Sequence, residues 1–341
     1  MFLSLGEIML RFCSGELPLR AAKTFHFSEG GGEYNIARSL SRSFGESTGI
    51  ATAMVDNEIG HLVHHLILSS GVDTSNIIWR KFDGVGRECR NPLYFAERGF
   101  GYRSPKATMD RGHSAPAQLA PGDFDWDTLF SSGDITWFHT GGIFAGLSES
   151  TSELALEAIQ CARKHGITTS YDPNYRESLW MSRGGPKAAA EVNRAMAQHT
   201  DVLLGVSPIF HEAHPPLECR ELISLMEDTA AQLPSVKTIA ASSRVIHSAS
   251  MHDYCAKVWH NGEIYHSDQY KNAQVLDRIG SGDAFGAGLI YGLMHGKAPN
   301  EAANIGCANA VLTMSTPCDS TLCSKKEILS LAATSTSHEL R

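Results

Sequence analysis

The stretch with the clearest chemical content runs from Asp277 to Gly296, opening Asp277-Arg278-Ile279-Gly280-Ser281-Gly282-Asp283. From Asp283 onward, Phe285, Leu289 and Leu293, with Ala284, Ala287, Ile290 and Met294, recur at helical spacing, and Gly296 followed by Pro299 gives a stop signal. Gly280, Ser281 and Gly282 therefore form a side-chain-poor turn at a helix N-terminus, where amides lack intrahelical partners and the dipole is positive. Such a turn cradles an anion, phosphate above all. Asp283 is anomalous there, because a carboxylate would repel bound phosphate unless it faced the nucleophile. In that position it could accept the proton of a substrate hydroxyl during phosphoryl transfer. The other reading is a capped helix start, since aspartate is favoured in a first turn.

Two further constellations invite a metal. His211-Glu212-Ala213-His214 is one residue short of the spacing that puts two imidazoles on one helix face, and Pro215-Pro216 ends the segment. His61, His64 and His65 come without a cysteine or carboxylate set, whereas zinc needs three or four convergent ligands. Both read as structural.

The elements around these residues alternate. Glu33 to Phe44 places Ile36, Ala37, Leu40 and Phe44 on one helical face, and Gly45 supplies the left-handed stop. Gly49–Val55 reads as a strand and Asn57–Ser70 as a helix ended by Gly71. Ile135–His139 is a strand, Ser150–His165 a helix closed by Gly166, and Ile167–Tyr171 a strand again. Asp201–Leu204 and Val236–Ala240 are strands flanking a helix over Leu217–Gln232. This alternation predicts a mostly parallel sheet with helices on both faces, and ligands beyond the carboxyl ends of the strands. Residues 11–29 and 78–106 break the pattern with Arg, Gly, aromatics and two-periodic runs such as Leu93-Tyr94-Phe95-Ala96. They read as strands of a separate small sheet, a lid that would exclude water. A stabilising hairpin or a dimer interface is the alternative. The expected division is an α/β core over 1–10, 30–77 and 107–341, with the β lid over 11–29 and 78–106.

Composition bounds the function. With 42% hydrophobic and 19% charged residues, the chain can build a core and carries no disorder signature. A net charge of −8 argues against nucleic-acid or anionic-membrane binding. No apolar run approaches the roughly 20 residues that span a bilayer. The first residues lack a basic segment and a cleavage site, and read as a strand. The eight cysteines form no CxxC pair and suit reduced thiols, so a cytoplasmic protein is expected.

Asp277-Arg278-Ile279-Gly280-Ser281-Gly282-Asp283-Ala284-Phe285 resembles the C-terminal signature of the ribokinase-like (PfkB) sugar kinases, usually DTxGAGD. Gly30-Gly31-Gly32-Glu33-Tyr34-Asn35-Ile36-Ala37 with Gly45 resembles the N-terminal one. The pairing, in the expected order and spanning essentially the whole chain, is specific where either half alone is weak. Within the family the similarity is closest to 2-keto-3-deoxygluconate kinases. It is carried by Gly6-Glu7, Tyr102-Arg103-Ser104-Pro105, Asp110–Ala115, Asp172–Trp180, Ser243-Arg244 and His247-Ser248-Ala249. The resemblance implies a three-layer α/β/α fold with a small β lid, and ATP-dependent phosphorylation of a sugar-acid hydroxyl with Mg²⁺ bridging the phosphates.

It also implies roles. Asp283 would be the base and Gly280, Ser281 and Gly282 the anion hole. Gly30 and Gly31 would let backbone approach the sugar, and Asn35 would offer donor and acceptor to its hydroxyls. Arg111 and Arg176 would bind the substrate carboxylate through their planar forks, with Tyr94 closing over the sugar. Ser243, Arg244 and Asn309 would lie along the nucleotide. Several positions depart from the family. Ser281 stands where most relatives have Ala, and Met109 where a Tyr is usual. Val206 and Ile209 replace the Asn-x-x-Glu pair that helps hold Mg²⁺, with Glu212 three residues on, and Cys318-Asp319 replaces Gly-Asp. No metal ligand is therefore assigned. The expected activity is ATP-dependent phosphorylation of 2-keto-3-deoxygluconate at its 6-hydroxyl, with a lid-mediated homodimer as a further possibility. A neutral ketose such as fructose as acceptor, or a catalytically weak sugar- or nucleotide-binding protein, are the alternatives.

Overall fold

The computed structural model describes residues 1–206, 209 and 219–334. In chain order its strands are β1 Phe2–Leu5, β2 Met9–Cys13, β3 His26–Gly30, β4 Thr48–Val55, β5 Ile77–Arg80, β6 Leu93–Glu97 and β7 Lys106–Asp110. They continue with β8 Trp137–Gly141, β9 Thr168–Asp172, β10 Val202–Leu204, β11 Thr238–Ser248, β12 Met251–His260, β13 Glu263–His266 and β14 Tyr270–Gln274. The large sheet has the order β13-β12-β11-β10-β9-β8-β1-β4-β5, with β14 on β12. From β11 to β5 every pairing is parallel. Strands covered on both faces are buried along their length, and β4 accordingly buries all of Thr48–Val55. Helices pack on both faces, giving the three layers expected.

Local signals set the helix ends. Gly45, at φ 77°, stops the helix of Gly32–Ser39 after a final wide turn, Leu40–Phe44. The Asn57 side chain accepts from the amides of Ile59 and Gly60 at the start of Glu58–Ser69. Ser148 and Thr151 form a reciprocal cap on Glu149–Lys164. Among the described residues no helix is long and apolar enough to cross a membrane.

Four strands, β3-β2-β6-β7, make the separate small sheet. Its bounds differ from those expected. Met9, Leu10 and Gly30 belong to it, and β7 at 106–110 closes it. Residues 78–80, expected in the lid, instead belong to Ile77–Arg80, which pairs with β4 as an edge of the large sheet. Its short apolar run has no feature that separates a lid strand from a sheet edge. The large sheet is mostly parallel, as expected, with an antiparallel end where β11 continues past Ala240 into a long hairpin with β12. The expected helix over 217–232 is present over Cys219–Gln232, and its first two residues lie outside the described ones, as do His211, Glu212 and His214.

Candidate active site

The carboxyl ends of β1, β9 and β10, the β11 strand and the helix Ser281–Met294 converge on a cleft of about 660 Å³, with Met9, Tyr94, Ala107 and Met109 of the small sheet bordering it. Asp283 lies at its floor, half-buried. Burial above all pushes its carboxyl up to about 7. A hydrogen bond donated by Asn35 Nδ2 to Asp283 Oδ2 at 2.6 Å works the other way, Asp172 and Asp319 add to the rise, and Arg176 opposes it. A carboxylate near neutrality, open to a cleft, can take a proton at working pH.

The turn beside it is built for an anion. Gly280 caps the helix at φ 78°, and a Cβ there would come within 1.7 Å of the Asp319 carbonyl oxygen, so only glycine fits. The amides of Gly282 and Asp283 have no acceptor among the described residues, and Gly282 is exposed to the cleft. Ser281 is buried and its amide points to the Arg278 carbonyl at 3.4 Å.

Beneath the turn lies a charged hub that the sequence did not announce. Arg11 of β2, 1% exposed, donates to Asp277 Oδ2 and to Asp319 Oδ1, and the Tyr94 hydroxyl donates to Asp319 Oδ2. Burial raises the Asp319 carboxyl, with Arg11 and Tyr94 opposing. The small sheet is thereby tied to the phosphate-cradling turn through two carboxylates. Asp319 follows Cys318, whose φ of 87° suits glycine and not cysteine.

Asp172 and Glu7 border the cleft as well, with Glu33 buried behind them. Burial lifts Glu33 to about 8, partly offset by amide bonds including one from Phe144 (3.2 Å), and lifts Asp172 to about 6. Burial also raises Glu7, which Arg111 faces at 3.5 Å. Arg111 lines the cleft, its Nη2 packed on the sulfurs of Met9 and Met109. Arg176 lines it from the segment after β9, exposed, donating to the Tyr175 carbonyl at 3.4 Å, with its charge acting on Asp172 and Asp283.

Three expected residues, Asn309, Ser243 and Gly30, stand elsewhere, and two that border the cleft, Tyr94 and Asn35, are engaged by carboxylates. Asn309 is fully buried between helices, donating to the Ala284 carbonyl and Ser39 hydroxyl, and does not border the cleft. Ser243 faces away, because strand alternation gives the cleft face of β11 to Ser242 and Arg244. Gly30 makes room for Asp319, whose Oδ2 would lie 2.2 Å from a Cβ, and Gly31 and Gly32 border the cleft instead. Tyr94 does border it, but its hydroxyl is engaged by Asp319, and Asn35 likewise spends its donor on Asp283.

Magnesium takes oxygen ligands, commonly one or two carboxylates beside substrate phosphates. Val206 and Ile209 are buried apolar side chains and offer none. Among the described residues no cluster of three potential ligands gathers in the cleft; the one that gathers anywhere, Asp127, Cys161 and His165, lies outside it. These residues do not build a metal cage.

The sequence model of the pfkB family carbohydrate kinases matches residues 3–326. A 2-dehydro-3-deoxygalactonokinase of Haloferax volcanii is 26% identical over 90% of this chain and 88% of its own length. A 5-dehydro-2-deoxygluconokinase of Geobacillus thermodenitrificans is 26% identical over 92% and 87%. Among solved structures, a 2-dehydro-3-deoxygluconokinase of Thermotoga maritima superposes with a TM-score of 0.88 at 28% identity, covering 97% of this chain and 99% of that one.

Proposed function

Because the chain belongs to the pfkB family of carbohydrate kinases, we propose that it transfers the γ-phosphoryl group of ATP to a hydroxyl of a dehydro-deoxy sugar acid, 2-keto-3-deoxygluconate at its 6-hydroxyl being the leading candidate. The observation that carries the reading is the meeting of Asp283 with the free amides of Gly282 and Asp283 in one cleft that Arg111 and Arg176 are among the residues lining. The acceptor oxygen forms a bond to the γ-phosphorus while the bond to the bridging oxygen breaks. The bridging oxygen keeps the electron pair and leaves with ADP, and the acceptor's proton goes to Asp283. The amide turn holds the equatorial oxygens, a task of positioning and charge stabilisation more than of strong basicity. Arg111 and Arg176 each offer a planar fork for the sugar carboxylate. The relatives named above act on dehydro-deoxy gluconate or galactonate, which supports an acid over a neutral sugar.

ATP consumption over a panel of sugar acids and neutral ketoses tests this. Turnover confined to dehydro-deoxy acids supports it; preference for a ketose such as fructose, with Arg111→Gln and Arg176→Gln leaving KM unchanged, overturns the acid assignment. Tight ligand binding without turnover of any sugar overturns the kinase reading. Phe27 and Met109 leave exposed apolar surface on the small sheet, which supports pairing of two chains through it; light scattering tests that pairing.

A further inference from the structure

Two guanidinium groups that line the cleft stand without a carboxylate in ion-pair reach among the described residues. Arg244 projects from β11 and Arg278 lies between Asp277 and the Gly280 turn; both line the cavity that holds Asp283, and neither enters an ion pair among the described residues. Arg278 is half-buried, and burial first, then the charges of Arg244 and Arg176, pulls its guanidinium below the usual arginine range, with the charge of Asp277 opposing. Like charges gathered in a partly buried cleft repel each other, a cost that a polyanion entering between them offsets. Arg278 is also held in place. Asp277 accepts from the Ile279 amide at 3.1 Å and from Arg11, and so fixes the backbone on either side of it. Meanwhile Val206 and Ile209 leave the phosphates without the polar pair expected at those positions.

We propose that Arg278, assisted by Arg244, is this chain's clamp on the β- and γ-phosphates of the nucleotide, placing positive charge beside them from a side chain in a cleft where Val206 and Ile209 offer no polar group. The proposal rests on the kinase reading. As the bond from γ-phosphorus to the bridging oxygen breaks and that oxygen keeps the electron pair, negative charge grows on the β-phosphate. A guanidinium beside it, carried on a held backbone, stabilises the transition state more than the ground state. The acceptor's proton still goes to Asp283, so Arg278 affects charge and not proton transfer.

The test compares Arg278→Gln, Arg278→Lys and Arg244→Gln with the wild type, using calorimetry with ADP and with adenosine in excess chelator, then steady-state kinetics. Arg278→Gln is expected to weaken ADP about 10-fold or more while leaving adenosine unchanged. It is also expected to lower kcat about 100-fold or more with the sugar KM kept. The lysine variant recovers part of both. Arg244 is exposed, so its glutamine variant keeps the fold and shows a smaller loss confined to ADP. Unchanged ADP affinity in both glutamine variants, or equal losses for ADP and adenosine, overturns the clamp. If the wild type phosphorylates no sugar, the kinase reading falls, and the comparison of ADP with adenosine still decides the clamp.

Discussion

Replacing Asn35 by leucine, close to it in size, removes the one hydrogen bond that favours the ionised form of Asp283. A hydrogen bond to a charged group contributes about 1.5–3 kcal/mol. At about 1.4 kcal/mol per pKa unit, its loss moves the carboxyl up by about one to two units. From about 7 in the wild type, the expected position is about 8 to 9. A general base works when deprotonated, so kcat/KM rises with pH to a plateau, and this quantity reports the free enzyme described here. The variant's rise should therefore be displaced upward. Near neutrality it loses about 5- to 50-fold, and it recovers most of that loss at alkaline pH. The assay is kcat/KM against pH for both proteins with one sugar acid and saturating ATP. A midpoint that stays put or moves down, or a loss uniform across pH, refutes the claim that Asn35 tunes Asp283.

The folded-state values of Asp172, Asp283 and Glu33, about 6, 7 and 8, all lie above the ordinary carboxylate range. The native chain thus binds more protons than the unfolded one, and stability should fall as pH rises from the ordinary range through these values. Melting temperatures should drop between about pH 5.5 and about pH 8.5, less so in Asp283→Asn, and a rising melting temperature contradicts the assignment. Cys318→Gly should gain about 1 kcal/mol by relieving the left-handed backbone at φ 87°, read from a denaturant midpoint; a loss would mean that the thiol's contacts outweigh the strain. Arg11→Met should cost about 3–5 kcal/mol, because it leaves Asp319 buried without its cation and Asp277 with Arg98 at 3.9 Å in place of a direct hydrogen bond. A change within 1 kcal/mol, by chemical denaturation, denies the hub its structural role.

The residues that were legible in the sequence are those whose chemistry is local. The Gly280–Asp283 turn was readable because glycine spacing, helical periodicity and the Pro299 stop all sit in one segment. The alternation that set the layers is local as well, and β1, β4, β8, β9 and β10 fall close to where it placed them. What failed was direction. Ser243 and Arg244 are neighbours, yet only one can face the cleft from a strand. Asn309 sits on a helix packed so tightly on Ser281–Met294 that its amide serves the Ala284 carbonyl. Arg11 was invisible for a different reason: its partners lie 266 and 308 positions away, and no pattern near it marks a buried cation. Arg278 was in view as part of the motif, but its meaning emerged only once Arg244 and Arg176 were placed around it.

The central claim is that the Asp283 carboxylate receives the acceptor's proton beside an amide turn that holds the phosphoryl group. Asp283→Asn keeps the shape, removes the charge and tests this most directly when turnover and binding are measured on the same protein. The account predicts a fall in kcat of about 10²- to 10⁴-fold, with calorimetric affinity for sugar acid and ADP retained or improved. Turnover close to that of the wild type in a variant that binds both ligands would contradict it.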